Sequence, residues 1–177
     1  MVDLPLIGTT MIYSVLQKKE VPVTVSKEVI KVYDDIGDLT RYTVHDAAEP
    51  LIHVGYVDLQ DTKDGVKVAY IKSQHPNLYK HFGQIADQIE VEHCINRGID
   101  NPYIYSVAAK GTHVLHFLRG KRFINEKVNL YLQQIINNLK KGEKAVTKFL
   151  GKQKMYMPQA LVQHYIEIIK KTPLLKK

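Results

Sequence analysis

The chain has 177 residues, 45% of them apolar, which suits one domain with a proper core and is short for two. That composition excludes a disordered chain, and a single cysteine, Cys94, excludes an internal disulfide, so Cys94 reads as a small buried apolar residue. The formal net charge is +7, with the excess gathered between Lys140 and Lys177, where Glu143 and Glu167 are the only acids.

That basic tail suits nucleic acid, acidic protein or an anionic cofactor, and it equally suits a solvated helix surface. Arginine is scarce and aromatics do not alternate with the lysines, so a dedicated nucleic-acid face is weakly supported. No run approaches the roughly 20 apolar residues that span a bilayer. The opening MVDLPLIGTT lacks the charged start of a signal peptide. The expectation is a cytoplasmic protein with no membrane partner.

In chain order, Val21, Val23 and Val25 alternate as in a strand, which Pro22 assigns to a sheet edge. Ser26 then reads as the cap of a short helix carrying Val29, Val32, Tyr33 and Ile36, stopped by Gly37. Three strands follow, Thr40 to His45, Leu51 to Leu59 and Val66 to Ile71, joined by short turns into an antiparallel meander. A polar turn, Lys72 to Asn77, leads into a helix from Tyr79 to Arg97. Phe82, Ile85, Ala86 and Ile89 form its buried stripe, with Lys80, Gln84, Asp87 and Gln88 opposite and Gly98 as its stop. Tyr103 to Val107 is a strand, and strand–helix–strand order favours parallel pairing. A short helix, Thr112 to Leu118, precedes Phe123, beyond which Asn125 to Lys140 and Pro158 to Lys171 are helical. The fold class is therefore α/β with a mixed sheet. Residues 1–124 form the sheet domain and 125–177 a helical, lysine-rich C-terminal extension packed on it.

The turn from Ser73 to Gly83 is the first chemical candidate. A strand end feeding a helix start leaves amide donors unpaired and adds the positive end of the helix dipole, which together suit phosphate. Gly83 removes a side chain where a pyrophosphate would approach, and His75, Lys80 and His81 add basic groups. The same stretch also reads as an ordinary connection capped by Ser73, Asn77 or water. The histidines offer no H-x-x-x-H or H-E-x-x-H spacing, and there is no cysteine pair, so no metal site is expected.

From Thr40 to Phe123, roughly half of the chain, the order of elements resembles the GNAT superfamily of N-acetyltransferases. In that resemblance Val66–Ile71 stands for the fourth strand and Leu78-Tyr79-Lys80-His81-Phe82-Gly83 for the pyrophosphate loop. Tyr103–Val107 stands for the fifth strand, which splays from the fourth to admit pantetheine, and the following short helix ends at Arg122-Phe123. Only Gly83 fills a motif position of the loop. Leu78 replaces a glutamine or arginine and His81 the first glycine, while Leu118 replaces the tyrosine that protonates the leaving thiolate and Arg122 a glycine. Helix-like sequence stands where a closing pair of strands follows Phe123 in the family.

The resemblance implies a GNAT-like acyl-CoA N-acyltransferase fold with extra C-terminal helices. It implies direct transfer of an acetyl group from acetyl-CoA to a small-molecule or peptide amine. The cofactor would lie over the amides from Tyr79 to Gln84 (Tyr79, Lys80, His81, Phe82, Gly83, Gln84), with Ile71, Lys72 and Ser73 along the pantetheine arm. Candidates for the base are His53, Tyr56 and Asp58, the last two sharing a strand face. Tyr105 and His116 are the nearest substitutes for the proton donor. The alternative is a non-enzymatic adaptor on the same fold, its basic tail holding acidic protein or nucleic acid. Leu132, Ile135 and Leu161 offer a surface for a homodimer.

Overall fold

A computed structural model describes residues 6–31, 38–63, 65–100, 102–108, 111–140 and 150–175. The chain opens on an antiparallel hairpin of β1 (Leu6–Ser14) and β2 (Lys19–Ile30), turned through Val15–Lys18 with Lys18 at φ 53°. Two expectations are corrected here. Pro22 lies in an interior strand, paired with Met11 on one side, while the ladder to the next strand begins only at Val23. Its carbonyl accepts from Ala47 N–H on that second side, so the one bond proline forgoes is the reciprocal bond to Ala47 at the very end of the ladder. The helix expected from Ser26 is strand instead. Ser26 through Ile30 continue β2, and Ser26 Oγ lies 2.8 Å from His45 Nε2. Residues 32–36 of that expectation are outside the described residues.

β3 (Leu39–Asp46), β4 (His53–Asp61) and β5 (Gly65–Ser73) form the expected antiparallel meander. β4 starts at His53 because Ile52 N–H closes a turn on Glu49 O. A two-residue strand, β6 (Tyr79–Lys80), pairs with β1, so α1 (Phe82–Asn96) begins three residues later than its periodicity suggests. Gly98, at φ 77°, ends α1 as the sequence indicates. β7 (Tyr103–Ala108) pairs parallel to β5 over Gly65↔Tyr103, Val66↔Ile104 and Lys67↔Tyr105 only, and the two strands then part.

Next come α2 (His113–Leu118), β8 (Arg122–Phe123), α3 (Glu126–Asn138), β9 (Gln153–Tyr156) and α4 (Gln159–Lys171). The expectation of helix throughout 125–177 is corrected at β9, which lies between β7 and β8 and pairs antiparallel with both. Met155 and Met157 alternate inward there, a period of two too short to stand out between lysines. Residues 141–149, with much of the basic tail, are outside the described residues.

The sheet order is β6-β1-β2-β3-β4-β5-β7-β9-β8. Cross-strand partners share a face, so Val23, Val25, Val44, Val57 and Ile71 line one side. Against it pack Phe82, Ile85 and Ile89 of α1 and Val162 and Tyr165 of α4. Ala108, Phe123 and Met155 continue that side beneath Phe117 of α2 and Val128 and Leu132 of α3. All four helices therefore cover one face. The C-terminal segment returns under β1, where the Leu174 and Leu175 N–H groups donate to Glu92 at 2.9 and 2.7 Å. Leu174 O occupies the place a Cβ on Gly8 would need.

Candidate acyl-donor cleft

Where β5 and β7 separate, the sheet opens into a cleft of about 710 Å³. Val68–Ile71 and Ser73 form one wall, Ser106 and Val107 the other; Pro76 and Tyr79–Gln84 form the mouth. Leu115, His116 and Arg119 of the α2 region close its side. A parallel pair interrupted after three residues leaves strand backbone on both walls without a ladder partner, and α1 begins directly in front of it.

The mouth is held by side chains. Tyr79 O–H donates to Asp46 Oδ2 at 2.7 Å, and burial and Asp46 push its phenol up to about 12. Lys80 Nζ donates to Pro76 O at 2.7 Å. Phe82 inserts its ring where Gly55 lacks a Cβ, and any larger residue at 55 would collide with it. His81 caps α1 at φ 67°, a left-handed conformation that glycine adopts freely and that costs another residue of order 1 kcal/mol. Its backbone thus takes the shape of the glycine that the GNAT resemblance would put at this position.

Several backbone amides at the mouth are already bonded within the chain. The N–H groups of Leu78 and Tyr79 both donate to His75 O, and Gln84 N–H donates to His81 O at 2.9 Å. Tyr79 and Gln84 therefore contribute side chains to the cleft and not free amides, which corrects the expectation of donors from Tyr79 through Gln84. Phe82 and Gly83, the first two residues of α1, have no intrahelical acceptor for theirs.

Arg119 stands over Gly83. Its guanidinium donates to Gly83 O and fills the space that a Cβ at 83 would take. It is pinned from behind by Asp87, with Nη2 2.5 Å from Oδ1 and Nε 3.1 Å from Oδ2. Lys121, itself buried, lies 2.9 Å from both Asp87 Oδ1 and Glu90 Oε2. Burial opposes ionisation of Asp87, but Lys121 and Arg119 outweigh it and hold the carboxyl low. Burial wins at Glu90 and, with Asp87 beside it, carries the carboxyl up to about 7 against Lys121. The sequence places Asp87 on a solvated face; it is fully buried, because Arg119, Lys121 and Tyr165 of α4 close over it. The signal for this network is Arg119-Gly-Lys121 after a short helix, facing acids at i and i+3 on α1.

The candidate catalytic residues separate. His116 lines the cleft, and burial, reinforced by Lys121 and Arg119, takes its imidazole down to about 3. Its Nδ1 and Ser73 Oγ are buried without a hydrogen-bond partner among the described residues. Tyr56, Asp58 and Tyr105 lie outside the cleft lining. Asp58 is buried and takes both oxygens to Arg41 at 2.7 and 2.8 Å, and Arg41 lies 4.2 Å from the Tyr56 ring centre. Asp58 is thus committed to an ion pair away from the cleft and does not face an amine bound there. Tyr105 stacks on Tyr103. His53 packs edge-on against His45. Lys72 is exposed beside the cleft, while Ile71 and Ser73 line it. Cys94 is buried and pushed up to about 12 by that burial, as inert as expected. No group of three metal-ligating side chains occurs among the described residues, nor does a helix long and apolar enough to cross a membrane.

A meander, one α crossover, a parallel pair that parts and a short helix beyond it reproduce the order expected from the sequence. That order is the one the GNAT resemblance of the sequence implies, on a mixed α/β sheet. No family model and no curated protein matches the chain. Among solved structures it is similar to the crystal structure of nourseothricin acetyltransferase, at 15% identity over 88% of this chain and 89% of that one, with a TM-score of 0.43. It is also similar to a putative acetyltransferase from the GNAT family from Bacteroides thetaiotaomicron, at 12% identity over 78% and 72%, with a TM-score of 0.31.

Proposed function

We propose that the chain is an acyl-CoA-dependent N-acyltransferase that passes an acetyl group to an amine. The observation that supports this reading is the parting of β5 from β7 in front of the first turn of α1, with Arg119 beside it. The residues there fit a diphosphate: two helix-start amides, Phe82 and Gly83, a guanidinium and the Lys80 ammonium converge on the mouth. The buried, unpartnered Ser73 Oγ and His116 Nδ1 fit a polar arm passing deeper.

Acetyl-CoA, when bound, supplies the activated thioester. The chain's own residues would hold its diphosphate at Phe82, Gly83, Lys80 and Arg119 and screen the gap with Leu115 and Val107. His116, kept neutral by burial, can accept or donate one hydrogen bond but does not ionise as a strong base would. The acceptor is an amine, small or peptidic, that reaches the gap between the strands.

A thermal-shift titration with acetyl-CoA tests this. At about 1 mM ligand the unfolding temperature is expected to rise, and Lys80→Gln is expected to weaken the effect several-fold at low salt. No rise at that concentration counts against the transferase. It would favour a second reading, an adaptor for acidic protein or nucleic acid on the same fold. The internally bonded Tyr79 and Gln84 amides and the guanidinium already seated on Gly83 O support that reading.

A further inference from the structure

The sheet face turned away from the helices carries a tyrosine ladder whose three rings lie outside the cleft lining. Tyr103 stacks with Tyr105 at 5.4 Å and 24° and with Tyr156 at 6.4 Å and 25°, making a three-ring ladder across β7 and β9. Cross-strand register places Lys67 opposite Tyr105 and Lys154 opposite Val107 on the same face. Tyr70 stands on this face of β5, opposite Asp58, and is 64% exposed; Tyr103 is 43% exposed. Tyr103 and Tyr105 come from one strand, and the pairing of β7 with β9 brings Tyr156 to them.

We propose that this face binds single-stranded nucleic acid. Exposed rings held at a fixed tilt by their neighbours offer π-faces to unpaired bases, while the lysine ammonium groups beside them match a phosphate backbone. Charge complementarity selects the occupant. Among the described residues of β4, β5, β7 and β9 on this face, the single carboxylate is Asp58, and Arg41 neutralises it through two hydrogen bonds. An acidic peptide would use the lysines but leave the ladder idle. A duplex would keep its bases stacked internally and out of reach of the rings. Tyr70 also lines the cleft, but Tyr103, Tyr105, Tyr156, Lys67 and Lys154 do not, so the inference stands without the transferase reading.

The test is fluorescence anisotropy with fluorescein-labelled oligo(dT) and oligo(U) of about twelve nucleotides, titrated with the full chain at about 50 to 200 mM salt. Saturable binding that weakens steeply with salt is expected. Tyr103→Ala is expected to lower affinity about tenfold, while Tyr103→Phe, which keeps the ring, binds as the parent does. Lys67→Gln with Lys154→Gln is expected to flatten the log–log salt slope by about 1.4, or two phosphate contacts on a single strand. Circular dichroism of each variant separates lost binding from lost fold. The proposal is overturned by an unchanged anisotropy up to about 100 µM protein at the lowest salt. It is also overturned if Tyr103→Ala binds as the parent does, if a labelled duplex binds more tightly, or if sedimentation shows a dimer that Tyr103→Ala dissociates.

Discussion

Two buried groups beside the cleft respond to pH in opposite senses. Glu90, raised to about 7, binds its proton more tightly folded than unfolded. Its contribution is whole below the ordinary glutamate range and is lost as pH rises towards 7. His116, lowered to about 3, releases its proton on folding. Its contribution is whole above the ordinary histidine range and is lost as pH falls below about 6.5. Comparing urea unfolding of the parent with His116→Leu at pH 7 and 5.5 isolates the histidine, because Glu90 is common to both. The parent is expected to lose about 1 kcal/mol more than the variant across that interval. An equal loss would mean that the imidazole is solvated. His116 was legible from sequence as a polar group on a short helix near the cleft. Arg119 and Lys121 were not, since periodicity reports one buried stripe per helix and does not reveal that the segment after α2 folds back onto Asp87 and Glu90. Asp58 and Tyr56 were correctly placed on one strand face, but sequence does not reveal that Arg41 stands opposite on the neighbouring strand.

At the level of elements, the meander, the crossover helix and the parallel pair could be read directly, because each has a clean period and a marked turn. The first hairpin was obscured by Pro22 and by a stretch after Ser26 whose apolar residues fit two periods. β9 was hidden by its length. Long-range pairing decides such segments, and local propensity does not. The return of the C-terminal segment beneath β1 was equally out of reach, since it depends on Glu92 offering both oxygens to two backbone N–H groups. Gly8 is the point where that segment passes closest. Gly8→Ala sets a Cβ against the Leu174 carbonyl, and backbone cannot rotate away as a side chain can. A loss of about 1–3 kcal/mol in chemical denaturation is expected, with the transition slope unchanged. A neutral outcome would show that Leu174 is not held there in solution.

Across the whole molecule, all four helices lie on one side of a nine-stranded sheet among the described residues, and β9 ties the second part of the chain into the first. The division at residue 124 is therefore not expected to be a boundary in unfolding. Far-ultraviolet circular dichroism and tyrosine fluorescence should give one coincident transition. Two separated transitions would establish the extension as an independent unit.

Between Gly65 and Lys67, β7 is joined to its parallel neighbour by three residue pairs; its other edge is closed by β9. Of the described strands, β9 is the last to leave the ribosome. The far jamb of the opening is therefore fixed along its outer edge by a strand that follows α3, while three pairs and the buried Ile104 hold its inner edge.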